Sequence, residues 1–162
     1  MKKAPEKTNA LRLLAQKKIS FETHDYTDSG AVAGPDVAAA LGEDPEKVFK
    51  TLVTTGKSGQ HYVFVLPVTK ELDLKKAAAA VKEKNVAMLP QKELLPLTGY
   101  IHGGCSPIGM KKLFPTVLHE SAAIFPTLCV SGGRIGLQVE LTPADLGKLA
   151  PYTLADIATE EV

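Results

Sequence analysis

Apolar positions along this chain recur at two spacings, and each switch between them marks an expected element. Near the start, Ala10, Leu11, Leu14 and Ala15 return at intervals of three and four, which predicts an amphipathic helix over residues 8–17, capped by Thr8 or Asn9 and packed on a sheet. The spacing then drops to two. Ile19, Phe21 and Thr23 alternate with Ser20, Glu22 and His24, the pattern of a half-buried strand over 19–26 that Tyr26 closes. Asp28-Ser29-Gly30 breaks the chain, and Gly34-Pro35-Asp36 opens a short helix ended by Gly42, with proline at its first helical position. The alanines at 38, 39 and 40 give that helix little bulk, so a neighbour can approach it closely. Alternation resumes over 48–55 and 61–68, joined by Gly56-Lys57-Ser58-Gly59, and predicts a hairpin.

Asp73 is placed to cap a lysine- and alanine-rich helix running to about Lys84, with Leu74, Ala77, Ala78 and Val81 facing inward and Lys75, Lys76, Lys82 and Lys84 in solvent. A short strand over 85–89 and a short helix over 90–95 follow. Strands are expected over 116–120 and 127–131, and a third over 135–141 completes a second hairpin across Gly132-Gly133-Arg134. Thr142-Pro143-Ala144-Asp145 has the form of a capping box opening a helix to Leu149, and a last short helix is expected over 154–158. There is no repeat, low-complexity tract or linker, so residues 1–162 are expected to form one domain. Strands joined by hairpins and interleaved with helices give an α+β fold: a curved, largely antiparallel mixed sheet, barrel-like, flanked by helices.

Composition narrows the function classes. A net charge of +1 cannot coat a nucleic acid, because that mode of binding neutralises many phosphates, but it leaves room for contact with one RNA end. The first residues contain no apolar leader and no apolar run is long enough to cross a bilayer, so a cytoplasmic protein without membrane contact is expected, with Cys105 and Cys129 as free thiols.

Candidate chemistry centres on residues 98–112, where Gly103-Gly104-Cys105-Ser106-Pro107-Ile108-Gly109 is too rich in glycine for an ordinary packed segment. Glycines let a backbone approach a ligand and present N–H groups to it. Gly104 and Gly109 have the separation of a phosphate-binding loop, but Met110 stands where its lysine belongs and Lys111 where its hydroxyl belongs, which excludes a nucleotide hydrolase of that type. No carboxylate pair has glycosidase spacing. His24, His61, His102 and His119 show no metal-ligand spacing, so neither metal nor cofactor is expected. Cys105, three residues after His102, is either an activated nucleophile or a small apolar wall residue, and no third orienting group is evident. Cys129, between Leu128 and Val130, reads as core. Lys50, between Val48 and Leu52 on one strand face, either snorkels to water or points its charge into a cleft.

Taken together, KTNALRLL, ISFETHDY, VFKTL, LDLKKAA, TGYIHGGCSPIGMKK, VSGGRIGLQVEL and LADIA, in this order, resemble the YbaK/EbsC family, the Cys-tRNA(Pro) deacylases related to the editing domain of prolyl-tRNA synthetase. The resemblance covers nearly the whole chain. It implies a barrel-like mixed fold and trans-editing hydrolysis, in which the ester joining a wrong amino acid to the terminal ribose of tRNA is cleaved. Hydrolase is the implied reaction class, with lyase as a second. Carried over by position, Lys50 is the catalytic residue, and Tyr26, Ala33, Gly34, Gly103, Gly104, Ser106, Pro107, Ser131 and Gln138 bind substrate. The glycines are expected to offer N–H groups to the ribose and ester carbonyl. Ala33 stands where some relatives have an aromatic residue and Gln138 where some have an acidic one, which bears on the choice between Cys-tRNA(Pro) and Ala-tRNA(Pro). In the family's mechanism the substrate's own thiol attacks its carbonyl and the protein supplies position and electrostatics, without a nucleophile of its own. The implied partners are an aminoacyl-tRNA 3′ end and prolyl-tRNA synthetase. A module that binds such an end, or a nucleotide, without turnover is the alternative.

Overall fold

In a computed structural model of the chain, residues 8–32 and 34–159 are described. Helix α1 (Asn9–Gln16) is capped by Thr8, whose Oγ1 accepts from the Leu11 N–H at 3.1 Å and donates to the Gly132 carbonyl at 2.6 Å. One side chain thus ends a helix and ties it to the second hairpin. Ala10 and Leu14 on its inner face are fully buried.

Strand β1 (Glu22–Asp25) is shorter than the alternation suggested, because Lys18 adopts a positive φ of 57° and Ile19 bonds back to Leu14. Its burial phase is also reversed: Thr23 is exposed, and His24 is half-buried. Helix α2 (Gly34–Leu41) leads to the hairpin of β2 (Phe49–Gly56) and β3 (His61–Pro67). Helix α3 (Leu74–Ala80) starts at the Asp73 cap but stops early at Val81, followed by Lys82 at φ +59°; Leu74 points outward. Then come β4 (Val86–Met88) and α4 (Gln91–Thr98), which runs past the expected end through Pro96. Strands β5 (Thr116–His119), β6 (Leu128–Ser131) and β7 (Leu137–Leu141) precede α5 (Pro143–Leu149), where Thr142 caps the Asp145 N–H at 3.1 Å.

The last expected helix is a strand. Residues Tyr152–Ala155 form β8, parallel to β5. So short a segment cannot stabilise a helical nucleus alone, whereas the free edge of β5 offers ready backbone partners.

Two sheets result, ordered β1-β7-β6 and β4-β2-β3-β5-β8. Among the described residues the β3–β5 and β5–β8 strand pairings are parallel, as is the isolated bridge between Val48 and Cys129. The sheets meet where Val48 bridges Cys129 without closing into a barrel, and with the helices around them they give the expected largely antiparallel, mixed α+β fold. The alternation of β3 is divided between two cores: Val63 and Val65 pack with Phe49, Leu118 and Val139 between the sheets, while Phe64 and Leu66 pack with Ala77, Val117 and Ile157 under α3.

Candidate active site

A cleft of about 420 Å³ opens where the two sheets meet. Its floor is the start of β2, from Val48 through Leu52, and one wall is α2 with Gly34 and Val37. Opposite, the small sheet brings Tyr26, Ser131 and Gln138, and the glycine loop adds His102, Gly103 and Cys105. A second depression of about 350 Å³, between Tyr62, Val81 and Tyr152, is lined by no charged residue, so the chemistry belongs to the first.

Lys50 is the cationic side chain of this cleft. Strand β2 places it opposite Leu66 of β3, with its side chain 26% exposed and its Nζ 4.0 Å from Glu71, a carboxylate that is itself 86% exposed. Burial lowers the lysine's pKa, and Glu71 only partly opposes that shift. A half-buried ammonium whose counter-ion lies largely in solvent attracts an incoming anion strongly.

Of the residues expected in the site, the structure gathers Lys50, Tyr26, Gly34, Gly103, Ser131 and Gln138 around one space. Ala33 lies outside the described residues. Gly104, Ser106 and Pro107 are buried behind the wall and do not line the cleft. The Gly104 N–H donates to the Ile101 carbonyl at 3.0 Å, so it is not presented to a substrate, and Ser106 Oγ accepts the Ile108 N–H at 3.2 Å. Gly103 does face the mouth: it has a φ of +87°, and a Cβ there would lie 3.2 Å from Val32 and 3.3 Å from Ile135. At Gly34 a Cβ would fall 2.3 Å from Val68, so glycine is what lets α2 seat beside the end of β3.

The cleft also contains polar atoms that want partners. Gln138 is 3% exposed and its Oε1 has no hydrogen-bond partner among the described residues; the same holds for Thr51 Oγ1. A buried polar atom left unpaired is costly, and in a cleft its natural complement is a ligand donor. Thr51 was not evident in the sequence, since a threonine beside a lysine in a strand carries no signature. Tyr26 is buried, which raises the pKa of its phenol. Burial pushes the Cys105 thiol up to about 12, so it remains protonated at neutral pH and does not act as a thiolate nucleophile.

Comparison with known proteins concerns the chain as a whole. The aminoacyl-tRNA editing domain model matches residues 30–149. A protein of Enterococcus faecalis described as a candidate Cys-tRNA(Pro)/Cys-tRNA(Cys) deacylase, EbsC, is 44% identical over 161 residues, spanning 99% of this chain and 98% of its own. Among solved structures, a candidate trans-editing enzyme for prolyl tRNA synthetase superposes with a TM-score of 0.84 at 25% identity, covering 96% of this chain and 100% of the other. Deacylation is hydrolytic, so lyase is discarded as a reaction class. Among the described residues no helix is long and apolar enough to cross a membrane.

Proposed function

This chain belongs to the aminoacyl-tRNA editing domain family, and on that premise we propose that it hydrolyses misacylated tRNA in trans, with Cys-tRNA(Pro) as the preferred substrate. The observation that carries this reading is the half-buried Lys50 ammonium on the floor of the cleft. Its charge binds the terminal phosphate or the oxyanion that develops on the ester carbonyl, a group that gains charge only as the reaction proceeds. Gln138 Oε1 and Thr51 Oγ1 accept hydrogen bonds from the amino acid's ammonium or the ribose hydroxyls. Tyr26, Gly34, Gly103 and Ser131 shape the space around them. The cleft volume suits the amino acid and the terminal ribose, while the rest of the tRNA stays outside.

In this reaction the ester carbon–oxygen bond breaks, the ribose oxygen leaves as a hydroxyl, and an oxygen from water ends in the released amino acid. No protein nucleophile is involved, consistent with the protonated Cys105 thiol. Catalysis comes from orientation and electrostatics. The weak overall charge supports delivery of the tRNA by prolyl-tRNA synthetase.

The test is a deacylation assay on Cys-tRNA(Pro), Ala-tRNA(Pro) and Pro-tRNA(Pro), with and without the synthetase. Faster release of cysteine than of alanine or proline is expected. Binding of Cys-tRNA(Pro) without release would leave a recognition module instead, and faster release of alanine would overturn the substrate assignment.

A further inference from the structure

Beside the cleft, on the same face of the small sheet, lies a second group of functional side chains that the deacylation does not use. We propose that His24, Glu43, Cys129 and Glu140 form a binding site for a divalent transition-metal ion, zinc by the chemistry of its ligands, that fastens the end of α2 to the three-stranded sheet.

One ligand atom from each of the four residues lies within 4.8 Å of all the others. Cys129 Sγ is 3.7 Å from Glu43 Oε2, and His24 Nε2 is 3.8 Å from that oxygen and 2.8 Å from Glu140 Oε1. Ligands on a tetrahedral zinc with bonds near 2.0–2.3 Å are about 3.3–3.7 Å apart, so the His24–Glu140 contact must open by about half an ångström, and any pair near the 4.8 Å limit must close by about one ångström, within the reach of side-chain rotation. One nitrogen, one sulfur and two carboxylates suit zinc and its neighbours; magnesium and calcium prefer an all-oxygen shell.

Three further features point to a cation. Glu43 Oε1 is buried and has no hydrogen-bond partner among the described residues, although its side chain is only 12% exposed. Glu140 is oriented from behind: its Oε2 accepts from Lys47 Nζ at 2.8 Å and from Thr127 Oγ1, which leaves Oε1 facing His24. Such outer hydrogen bonds fix first-shell carboxylates in metal sites. The charges also sum correctly, because a dication with one thiolate and two carboxylates carries −1, which Lys47 neutralises. No uncompensated charge is then left in the wall. A protonated His24 would give the same neutrality with a proton network alone, and the experiment must separate the two.

The site is continuous with the cleft. His24 pairs with Gln138, Cys129 pairs with Glu140, and Ser131 pairs with Gln138, so all lie on one sheet face, with His24 level with the cleft residues and Cys129 and Glu140 one pair further along the strands.

Chelator-treated full-length protein would be titrated with cobalt(II) under reducing conditions. Expected are a near-ultraviolet thiolate-to-cobalt band and the visible bands of a tetrahedral centre, both removed by stoichiometric zinc. Zinc should also raise the melting temperature of the wild-type chain, since a ligand bound only to the folded state stabilises it. Cys129→Ser should lose the near-ultraviolet band, and His24→Ala should weaken cobalt binding on the order of 100-fold. No charge-transfer band together with a zinc-independent melting temperature in the wild type would overturn the proposal and leave the proton network. A band that survives Cys129→Ser would also overturn it, by placing the metal elsewhere. The wild-type measurements decide the matter even if a variant fails to fold.

Discussion

At the scale of single residues, the proposed chemistry depends on whether Lys50 carries its proton. Burial lowers its pKa from the ordinary lysine value of 10.5, so the ammonium is lost as pH rises through a value below that of an exposed lysine. Deacylation that uses the cation is therefore expected to decline on the alkaline side, earlier than ordinary lysine titration would allow. The slow residual reaction of Lys50→Ala should lack that limb in a pH–rate profile. At neutral pH the same variant should lose roughly 10²–10³-fold in kcat, the magnitude for removal of one preorganised electrostatic group, with its melting temperature little changed. Cys105 makes a contrasting case. Its thiol stays protonated to about pH 12, so iodoacetamide at pH 8 should label it slowly in the native state and quickly after unfolding, and Cys105→Ala should deacylate at close to the wild-type rate.

Elements were legible in the sequence wherever one local interaction decides them. Thr8, Asp73 and Thr142 each lie where a short polar side chain meets the open N–H groups of a helix start, and each accepts those bonds in the structure. Thr142→Ala is accordingly expected to cost about 1 kcal/mol in urea unfolding. Gly109→Ala should cost more than that, because the residue has a φ of +78° and a Cβ would sit 2.8 Å from the Asn9 carbonyl, where only backbone movement makes room. Other elements depend on partners remote in sequence, and local alternation misjudged them. Residues 152–155 become a strand only because β5 leaves them an edge. The half-burial of His24 follows from Glu140, more than a hundred positions away, and not from its own neighbours. The four proposed metal ligands come from four separate segments, so no spacing motif could have shown them. Lys50 was marked by its place between apolar neighbours on one strand face, and family likeness suggested a site role for it and for Gln138, whereas the unpaired oxygen of Thr51 became visible only once the cleft had assembled.

For the whole molecule, the alternation implied sheet and helices, but it could not show that one strand set divides into two sheets that meet at Val48 and Cys129. A net charge of +1 has a measurable consequence for function. Binding of free tRNA should be weak, with a log–log salt slope of about −2 or shallower, because each phosphate neutralised adds roughly 0.7 to 0.9. Titration over a range of potassium chloride concentrations checks this, and a steep slope would reveal a concentrated basic surface. The glycine loop has a different consequence. Lys111 N–H closes it onto the Thr98 carbonyl at 3.0 Å, Tyr100 donates to the Ile108 carbonyl, and Ile108 is fully buried, so one face of the loop borders the cleft while the other is core. Changes at 104–108 that altered the cleft would also disturb folding, and divergence there is penalised twice. Descendants that switch to another amino acid should therefore have diverged across the cleft, at Val32 and Gln138, while the loop between them stayed nearly constant.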